Sequence, residues 1–423
     1  MRTVLLAADN RFWLADRGSR VRVDALVSYL FDHPEFDVAL FDVSTSSQHE
    51  RDLLRARHPE LAVFHRRPRI DGRPQSYMGR AFRKLRGLLS SAKKRLVGGL
   101  ASMSRSEQPA LSAAGPRICD FTDRQVAAQF AHIVATLKPD VIIIEFLRLA
   151  YLTEALAANE RERVKLCLDT HDVMHERCQA FAAQGVRHWV SITRQEEVRI
   201  LRQFDVVMAI QPKDRSTFES LDAALHVITV PHPFQVSSAR GASRTSTSTN
   251  VSVHFLFVGS SALPNRIGIT EFIRQCWPHL SERHSDRIRL DVVGGVCESL
   301  SDLDLGHNVH LHGFVEDVDS FYASADIVVN PVLFGGGLKI KSVQALCHGL
   351  PLVTTSAGAA GMESGLGDAF LVYDSYPEMT ARLSALIDDP VERKRLGQAA
   401  VNFANLHFAP DVAYRSLVTE LQH

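Results

Sequence analysis

No apolar run approaches the roughly 18 residues that a bilayer-crossing helix requires, so no membrane-spanning helix is expected. The opening MRTVLLAADN has too short an apolar run for a secretory leader and reads as a first strand. Net charge is also missing: 48 Lys and Arg balance 48 Asp and Glu, which gives no reason to expect a nucleic-acid partner. The six cysteines form no C-x-x-C pair, which argues against a zinc site or a disulfide frame and fits reduced thiols in a cytosolic protein. There is no nucleophile elbow, Walker loop or kinase signature set, and the loop after the first strand, DNRFWLADRGSR, lacks the dinucleotide G-x-G-x-x-G.

What the chain does contain is alternation. Its 423 residues suffice for two or three domains. Strand-like and helix-like stretches, a helix at Leu152–Ala158 among them, alternate from Thr3 to Val230, and again from Val251 onward, as in parallel α/β sheets. Between them Pro231-His232-Pro233 breaks the pattern, and VSSARGASRTSTSTN reads as a linker. The expected division is 1–233 for a first domain, with a basic insertion at 65–118, then a linker at 234–250, a second domain at 251–409 and a final helix at 410–423. Two such domains would leave a cleft between the carboxyl ends of their strands.

The stretch 326–362, DIVVNPVLFGGGLKIKSVQALCHGLPLVTTSAGAAGM, is the most informative. Ile327 to Leu333 reads as a buried strand, Leu338 to Cys347 as a helix that Gly349 and Pro351 stop. Gly335, Gly336 and Gly337 let a ligand approach the backbone, and the free amides of the helix start favour an anion. Lys339 and Lys341 add two positive charges there. An ordinary turn with solvated lysines is the alternative; the coincidence of glycines and lysines favours an anion site.

Other candidates rest on placement. His171-Asp172 follows the strand VKLCLD directly, so both side chains are expected to point into the cleft. A structural His fixing a loop is the alternative. Asp9, Asn10, Trp13 and Gly18 lie in the first loop, at the ligand edge of the sheet or simply at the surface. His171 and His175 have helical metal spacing but no third ligand, and no metal site is expected. Asp317 reads as a helix cap and Asp302-Leu303-Asp304 as a polar loop. Between Gly79 and Val97, bases interleave with Phe82, Leu85, Leu88, Leu89 and Leu96, which suits either an anionic membrane surface or a solvated helix.

On FVGSSALPNRIGITEFI, LDVVGG, GGGLKIKSVQAL, LDTHDVMHER and VPHPF, the chain resembles the family-4 type, retaining glycosyltransferases of the GT-B fold, strongly over about 251–400 and weakly before. The resemblance implies two Rossmann-like parallel-sheet domains facing across a cleft. It implies a nucleotide-diphosphate sugar donor held by Gly259, Asn265, Arg266, Gly336, Gly337, Lys339 and Lys341, with the ribose at Gln344, where the family has Glu. His171 and Asp172 take the catalytic positions, and Asp9, Asn10, Trp13 and Gly18 the acceptor side. It implies no cofactor and no metal, a glycan, lipid-linked or protein acceptor in surface-glycan assembly, and a cytoplasmic or membrane-peripheral location. A catalytically silent GT-B scaffold and a nucleotide-sugar epimerase, with Glu145 and Asp172 as its acid and base, are the alternatives.

Overall fold

The computed structural model describes residues 1–14, 18–67, 115–237 and 252–423. The basic stretch 79–97 lies outside the described residues.

Two all-parallel sheets organise the chain. The first has seven strands in the order β3-β2-β1-β4-β5-β6-β7. They are β1 (Arg2–Ala8), β2 (Phe36–Asp42), β3 (Ala62–His65), β4 (Val141–Glu145), β5 (Lys165–Asp169), β6 (Val206–Ala209) and β7 (Val227–Thr229). The second has six in the order β10-β9-β8-β11-β12-β13. They are β8 (Val253–Val258), β9 (Ile288–Val293), β10 (Val309–Gly313), β11 (Ile327–Asn330), β12 (Leu352–Thr354) and β13 (Leu371–Val372). The inner strands are rich in buried Val, Ile, Leu and Phe because helices cover both faces of each sheet, while the edge strands β3 and β10 stay partly exposed.

In each sheet the strand order reverses once, between β1 and β4 and between β8 and β11. A crevice opens at such a point outside the carboxyl ends of the strands. This is the GT-B arrangement of two Rossmann-like domains.

The last helix, Arg415–Gln422, leaves the second domain and covers the first. Tyr414, Leu417 and Leu421 are buried with Val4, Leu6 and Cys167, Lys165 donates to the Glu420 carbonyl at 2.7 Å, and Arg2 donates to the Leu421 carbonyl. The first residues of the expected linker attach to the second domain: Phe234 N–H donates to the Phe408 carbonyl, and Ser237 N–H to that of Cys347.

Two expected elements are corrected. The strand expected to reach Leu333 ends at Asn330, because Pro331 has no N–H to continue the ladder. The helix expected at Leu152–Ala158 is a 3₁₀ turn, Leu147–Ala155, and a separate short helix, Ala158–Arg163, because Leu156 is extended. Asp317 does cap the helix Asp319–Ser324, accepting from the amides of Asp319 and Ser320. All six cysteines are free thiols, and only Cys119 is exposed.

Candidate active site

The glycine loop joins β11 to the helix Ile340–Cys347. Gly335 and Gly337 adopt φ of 116° and 69°, which side chains resist. The helix begins two residues later than its composition suggests, since Lys339 is still outside helical geometry. The Lys339 ammonium turns back and donates to the carbonyls of Gly335, Gly336 and Gly337 at 3.2, 2.9 and 2.7 Å. Lys341 donates to Asn265 Oδ1 at 2.6 Å and lies 4.1 Å above the Phe257 ring. Asn265 is anchored in turn by donating to the Ser260 carbonyl. So a residue after β8 and a residue after β11 meet across the reversal of strand order. Gly259, buried at the end of β8, has no room for a side chain: a Cβ would lie 2.8 Å from the Phe257 ring.

Among the described residues neither ammonium pairs with a carboxylate. Their partners are peptide carbonyls, a side-chain amide and an aromatic face. Burial pulls the Lys339 pKa down to about 8, against a smaller opposing pull from Asp172. Burial, and then Lys339, push Lys341 well below the usual lysine range. Both groups therefore sit in a site that favours an arriving anion. Arg266 is exposed on the first turn of the helix Leu263–Gln275.

Gln344 points elsewhere on that helix. Its amide donates to Asp319 Oδ1 at 3.0 Å, and His348 Nε2 meets the same oxygen at 3.1 Å.

The first domain faces the loop with Thr170-His171-Asp172, just past β5. The expected direction of His171 is corrected. Its ring turns inward, with Nε2 2.7 Å from Glu145 Oε2 and 3.6 Å from Asp169 Oδ2, and lies flat on Phe146 at 4.0 Å. It presents its backbone to the loop: a Cβ on Gly337 would lie 3.2 Å from the His171 carbonyl oxygen. Asp172 does reach across. Arg177 holds Oδ2 at 2.7 Å, and Oδ1 sits 2.6 Å from where a Gly337 Cβ would be. The glycines are needed because the other domain approaches this closely.

Behind His171 lies a buried ionic network. Arg22 makes a two-point contact with Asp169 at 2.9 and 2.8 Å. Burial, and then Asp169, push the Glu145 pKa up. Burial, with Arg22 and His171 nearby, keeps His232 neutral by lowering its pKa far below normal. Glu145, Asp169 and His171 have the types and spacing of metal ligands. The Arg22 guanidinium fills the Asp169 side and His171 already occupies Glu145, so the donor set reads as ion pairing, not a metal centre.

In the first loop, Gly18 opens the helix Gly18–Asp32 against Ile340 of the second domain, with 3.1 Å between a Cβ there and the Ile340 side chain. Asp9 pairs through both oxygens with Arg148. Asn10 accepts from Arg20 through its carbonyl. Trp13, expected on the acceptor side, is buried in the core beside Phe12. The sequence reading missed Arg22, Arg148 and Arg177. No local motif marks Arg22 and Arg148, because each pairs with a residue far along the chain, whereas Arg177 lies only five residues from its partner Asp172.

Residues 252–389 match the family model described as Glycosyl transferases group 1. That span lies within the second domain and includes the glycine loop, both lysines and Asn265. An uncharacterized 44.6 kDa protein in the cps region of Klebsiella pneumoniae is 25% identical over 127 residues, 28% of this chain. The match spans about a third, 32%, of that relative's length. Among solved structures, sucrose-phosphate synthase from Thermosynechococcus elongatus superposes with a TM-score of 0.67 at 12% identity, covering 100% of this chain and 98% of that one. A mutant of TarM from S. aureus, in complex with fondaparinux, alpha-GlcNAc-glycerol and UDP, gives 0.68 at 9% identity, covering 100% of both chains. HepE from Anabaena, in complex with UDP, gives 0.62 at 15%, again covering 100% of both.

Proposed function

We propose that the protein is a glycosyltransferase that moves a sugar from a nucleotide-diphosphate donor to a glycan or lipid-linked acceptor. The observation that carries this is the pair Lys339 and Lys341, two ammoniums with only neutral partners at a glycine loop and a helix start. A diphosphate supplies the missing negative charge twice over, and as leaving group it gains charge that both lysines and the helix amides stabilise. The family match over the same residues supports the reading, as does UDP bound in TarM and HepE. The charge comes from the chain's own cations, so the transfer is proposed to run without metal and, by the family resemblance, with retention. A role in surface-glycan assembly is supported by the cps-region relative. Membrane-peripheral placement rests on the basic, apolar composition of 79–97.

Calorimetric titration with UDP and GDP tests the donor site. Micromolar to millimolar binding is expected for one of them, and Lys339→Ala and Lys341→Ala should each weaken it by about a hundredfold, as loss of a buried charge contact does. Unchanged binding in both variants refutes the assignment. A catalytically silent relative is the second reading, favoured by Gln344 engaging Asp319 where the family has an acid. Slow hydrolysis of a bound donor separates the two.

A further inference from the structure

We infer that the acceptor is a carbohydrate, and that its ring stacks on Trp189 while Arg148 and Asp9 bind its hydroxyls. This rests on the donor reading above and adds the acceptor's chemical class and the residues that select it.

Three observations converge. First, Trp189 is exposed where the other two tryptophans are not: 37% against 5% for Trp13 and 1% for Trp277. It is one ring away from His171, since it meets Phe146 edge-on at 6.5 Å and Phe146 lies flat on His171. Second, Arg148 is held over both rings, 4.8 Å from the Phe146 centroid and 5.3 Å from that of Trp189. Its Nε and Nη2 grip Asp9, so the side chain cannot swing away, and Nη1 keeps its hydrogens for another acceptor. Asp9 and Arg148 follow β1 and β4, the two strands between which the order of the first sheet reverses. They mirror Asn265 and Lys341 at the reversal in the second sheet. Third, the backbone here is held in a costly conformation. Arg11, Phe146 and His171, beyond the ends of β1, β4 and β5, have φ of 50°, 65° and 62°. A positive φ is costly at residues other than glycine and collects at functional sites.

The chemistry that fits is a pyranose. It has an apolar C–H face, which an indole can cover, and a rim of vicinal hydroxyls, which an arginine and a carboxylate can bind together. A peptide or nucleobase would not need a fixed Arg–Asp pair beside the ring face.

The test uses the full chain and four probes: lactose, cellobiose, chitobiose and maltose, each titrated with and without UDP. Tryptophan emission reads the site directly, because Trp189 is the exposed indole. At least one disaccharide should quench or shift the emission, and Trp189→Phe should abolish that optical change. By calorimetry Trp189→Ala should weaken the sugar about tenfold or more, while Trp189→Phe, which keeps a ring, stays within about threefold of wild type. UDP affinity should be the same in all three proteins, which also shows that the variants are folded. Sugar affinity unaffected by Trp189→Ala, or no response to any of the four sugars while UDP still binds, overturns the inference. Failure of wild type to bind UDP or GDP counts against the donor reading instead, and leaves the Trp189 titration to be read by itself.

Discussion

At the residue scale, the two lysines and one glycine decide the most. Lys339 has its pKa pulled down to about 8 by burial. A bound diphosphate would raise it again, so proton and ligand binding are linked. Below pH 8 the ammonium is already charged and UDP affinity should be flat. Above pH 8 affinity should fall, by up to about tenfold per pH unit, as the group loses its proton. Calorimetry at pH 7 and pH 9.5 reads the difference, and Lys339→Arg should flatten the profile because arginine stays charged. Gly337 carries a different constraint. With φ of 69° and Asp172 pressed against it, Gly337→Ala should cost about 1–3 kcal/mol in urea unfolding and weaken UDP, because either the loop or Asp172 must move. A stability equal to wild type would mean that the two domains do not approach this closely.

Elements act here mainly through what they carry to the strand ends. The helix Gly18–Asp32 is fastened to β5 by Arg22 on Asp169, both fully buried. Removing only the cation leaves a buried carboxylate without its partner, so Arg22→Met should destabilise the protein by about 3–5 kcal/mol, measured by urea unfolding. The double variant with Asp169→Asn should recover part of that loss, which separates charge from shape. How far these elements were legible varies. The strands were readable from their apolar runs, since burial on both faces needs little else. The start of the helix Ile340–Cys347 was misplaced because Leu338 and Lys339 have helical composition but are held out of the helix by the loop that Lys339 itself closes. His171 was found by its position after a strand, yet its direction was misread. Its partner Glu145 is 26 positions away and is brought beside it only by the pairing of β4 with β5.

On the scale of the whole molecule, the helix Arg415–Gln422 packs on the sheet that contains β1, so Leu417 and Leu421 share one core with Val4 and Leu6. Replacing Leu417 with Ala should cost about 2–5 kcal/mol through the cavity it leaves. The loss should fall on the first domain. Thermal unfolding followed by UDP protection would then show the donor side surviving to a higher temperature than the other, and a single shared transition would show instead that the domains unfold as one.

Composition and order along the chain determined the alternating α/β architecture, the break near Pro231 and the glycine–lysine loop. These depend on periodicity, backbone freedom and charge, all local properties that neighbouring residues express by themselves. Tertiary structure alone decided which groups those residues meet. It set Asp172 against Gly337, turned His171 onto Glu145, gave Lys341 an amide and a ring for partners, and placed Trp189 beside Arg148. Each of these pairs joins residues that only strand order or the closure of two domains brings together, so no window of sequence could contain the interaction.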